Sequence, residues 1–119
     1  MRISLLKSKL HKVCVTGADL NYEGSISIDP KLYKAAGMCT YEKVDIYNIN
    51  NGMRFSTYII EGRESEISLN GAAARLVQKG DLLIIVSYAE LEMDEVSQHK
   101  PIIIFVDELN RVKEIIKKY

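Results

Sequence analysis

Tryptophan is absent from the 119 residues, and proline, cysteine, histidine and phenylalanine each occur only twice. Each scarcity narrows the field. Cys14 and Cys39 form no CxxC and no metal-type spacing, so two free thiols in a reducing compartment are expected. His11 and His99 stand far apart with no HExxH pattern, which leaves no sequence basis for a metal centre. A lone histidine is more often a structural or surface residue than a ligand or an acid/base. P-loop, GxGxxG and GxSxG patterns are missing too. Sixteen Lys+Arg balance sixteen Asp+Glu, and the want of a basic excess argues against a nucleic-acid partner. No segment nears the roughly 20 apolar residues that span a bilayer, so no membrane partner is expected. Residues 1–12, broken by Lys7, Lys9 and Lys12, lack the apolar core of a signal peptide. The expected location is the cytoplasm.

What is present is a globular composition, 47% hydrophobic and 27% charged. Without a linker-like stretch or repeat, residues 1–119 read as a single domain. Strand-like runs cover Ile3 to Thr16, Ser25 to Asp29, Val44 to Ile49, Arg54 to Ile60, Glu66 to Leu69, Asp81 to Leu91 and 102–106. Asn50-Asn51-Gly52 joins two of these as a hairpin. Asp29-Pro30 supplies an N-cap and a first helical position, and Gly37 stops that helix after about two turns. Ala72 to Val77 reads as a short helix stopped by Gly80. Met93 to His99 reads as a helical turn ended by Pro101. The tail RVKEIIKKY is ambiguous between strand and helix, and its KEIIKKY end reads as a solvated face. Six to eight short strands, two short helices and tight turns suggest a mainly β fold, a small closed barrel whose closure removes exposed edges.

Four stretches invite a chemical reading: the Gly-Ser pair in NYEGSISID (21–29), KLH (9–11), NNGMRFSTY (50–58) and NGAAA (70–74). Singly, each has a bland explanation. Gly-Ser is a common turn pair. Lys9 and His11 share a strand face and suit a wet surface. Arg54, Phe55 and Tyr58 suit an ordinary amphipathic strand, and Asn70-Gly71 before alanines suits a turn into a helix. Their combination and order are far more specific.

From Leu6 to Pro101 the set KLH…ADLNYEGSISID…NNGMRFSTY…NGAAA…GD resembles the aspartate 1-decarboxylase family, small pyruvoyl-dependent carboxy-lyases. The resemblance implies a six-stranded double-psi β-barrel, assembled as a homotetramer with sites between neighbouring subunits. It implies a zymogen that cuts itself between Gly24 and Ser25, giving residues 1–24 (beta chain) and 25–119 (alpha chain). In that cleavage Ser25 attacks the Gly24 carbonyl, and Thr57 polarises it as an oxyanion-hole donor. Gly24 suits the position because a missing Cβ permits close approach. Elimination and hydrolysis would then leave a covalent pyruvoyl cofactor derived from Ser25, with no metal and no pyridoxal phosphate. Its ketone would take L-aspartate as a Schiff base and act as an electron sink while CO2 leaves. The product would be β-alanine, for pantothenate and coenzyme A biosynthesis.

The resemblance casts Tyr58 as proton donor and assigns substrate contacts to Lys9, Arg54, Thr57 and the backbone of Gly71, Ala72 and Ala73. Arg54 can grip a carboxylate bidentately. His11, Tyr22 and Asn70 would complete the pocket walls. An accessory maturation factor belongs among the expected partners, since some members of such families mature with help. Strict alternation puts Thr57 and Tyr58 on opposite faces. Both serve one chemistry only if the strand bulges, if the site wraps the strand end, or if each lines a different subunit's site. Two other readings compete: a non-catalytic β-barrel interaction module, and a self-cleaving hydrolase. The latter lacks a base-orienter pair for a free serine.

Overall fold

Strands dominate because β-branched and aromatic residues alternate with polar ones along most of the chain. The computed structural model describes residues 1–117. Its strands are β1 Arg2–Cys14, β2 Gly17–Asp19, β3 Ser25–Ile28, β4 Lys43–Asn48, β5 Arg54–Glu61, β6 Ile67–Asn70, β7 Leu82–Glu92, β8 Ile102–Val106 and β9 Val112–Lys117. They form a sheet in the order β2-β6-β3-β5-β4-β7-β1-β8-β9. The fold is mainly β as expected, with nine strands among the described residues, more than the six of the expected barrel. The surplus includes β2, three residues long, and β9, which settles the ambiguous tail as a strand antiparallel to β8. Within the KEIIKKY end, Lys118 and Tyr119 lie outside the described residues.

The sheet has to curl. β2 stands first in the order and β1 seventh, yet only Val15 and Thr16 separate them, a reach of roughly 11 Å at about 3.5 Å per residue. Val15 donates to the Asp81 carbonyl and Thr16 to the Ile67 carbonyl, both at 2.8 Å, holding the turned chain against β6 and the start of β7. Inside the curl, Leu10, Ile26, Ile46, Ile59, Leu69 and Ile85 are fully buried. Each such side chain stabilises the fold by about 1.5–3 kcal/mol before entropy is counted.

Local signals act as read. Asp29 caps α1 (Pro30–Ala35) by accepting from the Lys31 N–H at 2.9 Å, and its other oxygen accepts from the Ser65 N–H at 2.7 Å. Gly52, at φ +75°, turns the β4–β5 hairpin. The two later helices are 3₁₀ segments, Gly71–Leu76 and Met93–Gln98. Strand β1 departs from regularity twice, with register shifts against β7 between Leu6 and Ser8 and between Leu10 and Val13.

Candidate active site

Ser25 begins β3 and pairs with Asn70, the last residue of β6. It is almost wholly buried, at 1% exposure. Its hydroxyl donates to the Glu23 carbonyl at 2.9 Å and accepts from the Asn70 side-chain amide at 3.0 Å, an amide that also reaches Ser27 at 3.0 Å. The Ser25 hydroxyl is therefore oriented by the chain just before Gly24 and by the end of β6. Gly71 follows Asn70 at φ +67°, and a Cβ there would lie 2.7 Å from Gly24 Cα, 2.8 Å from Gly24 N and 3.2 Å from the Tyr22 carbonyl. Only glycine fits such a backbone and such an approach. Gly24, Ser25, Asn70, Gly71 and Tyr22 thus form one cluster, beside a 390 Å³ cleft that also meets Asp19, Arg63 and Glu66. Ala72 is exposed and Ala73 half-buried on the 3₁₀ segment behind it.

Strand β5 lies next to β3, with Ile26 aligned to Ile59; one step earlier, Ser25 and Tyr58 are neighbours on adjacent strands. The β4–β5 ladder runs from Lys43–Tyr58 to Tyr47–Arg54 without a register shift. Alternation is consequently intact: Arg54, Ser56 and Tyr58 are exposed while Phe55, Thr57 and Ile59 are more covered. A bulge bringing Thr57 and Tyr58 to one face does not occur in this ladder. Arg54 lays its guanidinium 3.9 Å from the centre of the Tyr47 ring, and the Tyr47 hydroxyl pairs with that of Tyr88 at 2.9 Å. That hydrogen bond, then burial, raises the Tyr88 pKa above its ordinary value. A 200 Å³ groove beside this patch is lined by Lys43, Asp45, Val86 and Tyr88.

Lys9 lies opposite Val86, which lies opposite Asp45, which lies opposite Ser56. It therefore shares the outer face of the sheet with Arg54 and Tyr58, several strands away. His11 packs edge-on against Phe105 with ring centres 5.3 Å apart. Burial, followed by the charges of Lys9 and Lys12, pushes its imidazole pKa down, and its Nδ1 is buried without a partner. The His99 ring instead hydrogen-bonds the Leu6 carbonyl. Tyr47, Tyr88 and Lys43 are the neighbours that sequence reasoning missed; period-2 alternation from Arg54 and Tyr58 across the hairpin was the available signal for Tyr47 and Lys43, whereas Tyr88 on β7 had no local one.

The class these features define is a small β protein built around a buried, oriented serine at a glycyl junction, flanked by an outer face of cations and tyrosines. A family model described as aspartate decarboxylase matches residues 1–113, a longer stretch than the motifs alone covered. Aspartate 1-decarboxylase of Bdellovibrio bacteriovorus is 62% identical over 114 residues, covering 96% of this chain and 92% of that protein. The enzyme of the same name from Campylobacter hominis is 58% identical, covering 96% of this chain and all of that protein. That of Hydrogenobaculum sp. is 55% identical over 97% of this chain and 92% of its own length. This chain belongs to the aspartate decarboxylase family.

Proposed function

We propose that the protein decarboxylates L-aspartate to β-alanine and CO2, for pantothenate and coenzyme A biosynthesis, after cutting itself between Gly24 and Ser25. The observation that carries this reading is the buried Ser25 hydroxyl, held between the Glu23 carbonyl and the Asn70 amide in a chain so similar to aspartate 1-decarboxylases. The encoded chain is then a zymogen, and its pieces are residues 1–24 and 25–119. Ser25 Oγ attacks the Gly24 carbonyl, and the acyl group passes from nitrogen to oxygen. Loss of the residue-25 α-proton expels the Gly24 carboxylate, and water then replaces nitrogen, releasing ammonia. The residues fit the pyruvoyl group so formed: its source atom is buried, and Gly71 leaves backbone space beside the junction where a Cβ would intrude. In place, that group supplies the electron sink for loss of CO2.

The remaining work falls to this chain's side chains. Arg54 and Lys9 bind the substrate carboxylates, the former with its fork held flat by Tyr47. Gly71, Ala72 and Ala73 border the seat, and Tyr58 delivers the proton to the substrate's Cα, a role worth about 10²–10⁴-fold. Thr57 polarises the Gly24 carbonyl; Tyr22, Asn70 and His11 wall the pocket.

Distances favour sites shared between subunits of a homotetramer. Followed along the curled sheet, Lys9 stands four strand positions from β3, a contour of roughly 19 Å at about 4.8 Å per strand. Arg54 lies four residues along β5 from Tyr58, roughly 13 Å. At that separation along β5 one aspartate does not bridge Arg54 and Ser25 within a single chain, whereas the outer sheet of one subunit against the junction of another brings them together. The curled sheet, with its parallel β1–β8, β2–β6 and β3–β5 pairs, supports a six-stranded double-psi barrel at its centre. The working location is the cytoplasm, with an accessory maturation factor as a further partner.

Intact mass under denaturing conditions tests the reading. Two fragments divided before residue 25 are expected, the larger lighter by one ammonia than simple hydrolysis would leave, together with CO2 release from L-aspartate. A chain that stays whole after prolonged warming, or a cut chain that releases no CO2, refutes it.

A further inference from the structure

Lys9 reaches the outer face only because β1 is irregular. From Arg2–Glu92 to Leu6–Tyr88 the β1–β7 pairing is regular; from Ser8–Ser87 onward it is displaced by one residue, so that Lys7 is extra. Side-chain direction alternates with period 2, so a one-residue slip exchanges the faces of everything beyond it. Continued without the slip, the early register would set Lys9 opposite Ile85, a fully buried core residue. With it, Lys9 lies opposite Val86, in the row that includes Asp45 and Ser56.

The irregularity is held from three directions by residues outside the site described above. Glu42, at the entry to β4, accepts from the Lys7 ammonium at 3.0 and 2.9 Å through its two oxygens. One of those oxygens also accepts from the Ser87 hydroxyl, and Ser87 faces the displaced stretch from β7. The carboxylate thus ties the extra residue to the strand opposite it. On the other side, the His99 ring Nε2 donates to the Leu6 carbonyl at 2.6 Å, immediately before the slip. The Glu42 side chain is 16% exposed and that of Lys7 33%, so this pair is far less screened than an open surface bridge.

We propose that Glu42 and His99 are positioning residues that lock the β-bulge at Lys7 and thereby deliver Lys9 to the substrate-facing surface. The inference rests on the reading of Lys9 as a substrate contact and adds to it the device that puts the contact in place. The junction cluster lies on β3 and β6, so unlocking β1 leaves self-cleavage alone and weakens aspartate binding.

The test is a cycle of four proteins: the parent, Lys9→Ala, the unlocked variant Glu42→Gln/His99→Ala, and all three substitutions together. Cleavage is followed by intact mass, turnover by KM and kcat for L-aspartate, and β1 register by crystallography of the parent and unlocked proteins. Expected for the unlocked variant are complete cleavage, a KM raised about tenfold, the scale of losing one charge-assisted contact, and kcat within about twofold. The KM effect disappears in the Lys9→Ala background, because action through Lys9 is non-additive with its removal. The crystal structure shows the bulge moved or lost and Lys9 turned from the outer face. An unmoved bulge in the unlocked variant, or KM effects that simply add, overturns the proposal. If Lys9→Ala leaves KM unchanged, the substrate-contact role falls instead, and the lock is judged on the crystallographic register alone. Should the unlocked variant be insoluble, Glu42→Gln alone carries the same cycle with a KM rise of about threefold.

Discussion

Replacing Gly71 by alanine isolates what the contact with Gly24 does. The new methyl group would sit 2.7 and 2.8 Å from two backbone atoms of Gly24, with the residue held at φ +67°. Left-handed backbone costs a non-glycine residue about 1–2 kcal/mol. The methyl also needs a carbon–carbon separation of about 3.5–4.0 Å, so the junction must retreat by roughly 1 Å. Displacement of that size between reacting groups slows a reaction on the order of 10²-fold, here the attack of Ser25 on the Gly24 carbonyl. Gly80→Ala is the matched control: its φ is +95° but no atom lies within 4 Å of the added Cβ. It carries the conformational cost without the collision. Both variants, purified beside the parent, are incubated and sampled for intact mass, with urea midpoints measured in parallel. Gly71→Ala should fold with a lowered midpoint and cleave about a hundredfold more slowly; Gly80→Ala should lose stability and cleave like the parent. Parental cleavage by a folded Gly71→Ala, or equal slowing in Gly80→Ala, refutes the argument that close packing aligns the junction.

Tyr58→Phe should cut itself normally yet lose about 10²–10⁴-fold in kcat for L-aspartate, the worth of a positioned proton donor; normal turnover in a CO2-release assay would remove Tyr58 from that role. Asn110 is 2% exposed at φ +59°, and its side chain accepts from the Cys14 N–H and donates to the Cys14 and Ser65 carbonyls at 2.8, 2.8 and 3.1 Å. Asn110→Ala strands those three backbone groups and should lower stability by about 3–5 kcal/mol in urea unfolding; a change under 1 kcal/mol would mean that water or repacking replaces the staple. For Glu42, burial opposes ionisation, but hydrogen bonds from Ser87, Lys7 and the Cys39 N–H outweigh it and hold the carboxyl below its ordinary pKa. A depressed folded pKa gives stability that is full above the unfolded pKa and is lost as pH falls through the folded one. The Tm gap between the parent and Glu42→Gln should therefore be widest at neutral pH and close under acid; a gap constant across that range would refute the ionic contribution.

Features written locally were the legible ones. Asp29-Pro30 declares a helix start because its cap and its missing N–H both act within one turn, and the side chain does accept from Lys31. Asn50-Asn51-Gly52 declares a hairpin because a left-handed residue is needed there, and Gly52 supplies it at φ +75°. The alternation of Arg54, Thr57 and Tyr58 was likewise readable, and the unshifted β4–β5 ladder keeps it. Illegible were features that depend on residues distant in the chain. Gly71 and Gly24 are brought together by the β3–β6 pairing, which no local pattern near either glycine encodes. The exposed turn containing Asn110 has the composition of any turn, although its side chain reaches back to the end of β1.

Strand β1 shows where the boundary falls. In LLKSKLH a regular strand would place Lys7, Lys9 and His11 on one face and Ser8 and Leu10 on the other. The second part of that pattern survives, with Ser8 and Leu10 buried; Lys7 leaves it because the pairing with β7 shifts there. Had regularity been kept from Arg2, Leu6 and Ser8 would share the outer face and Lys9 would face the core. A lysine ammonium in that position is costly to bury, so the composition of the stretch disfavours unbroken regularity once Arg2 and Ser4 are outward, without fixing where the extra residue falls or holding it there. What composition cannot supply is the counter-charge that makes an irregular, half-buried lysine tolerable. It comes from Glu42, thirty-five positions away. The β1 face pattern and the Lys7–Glu42 pair are therefore one feature seen at two ranges, and the position of Lys9 depends on both.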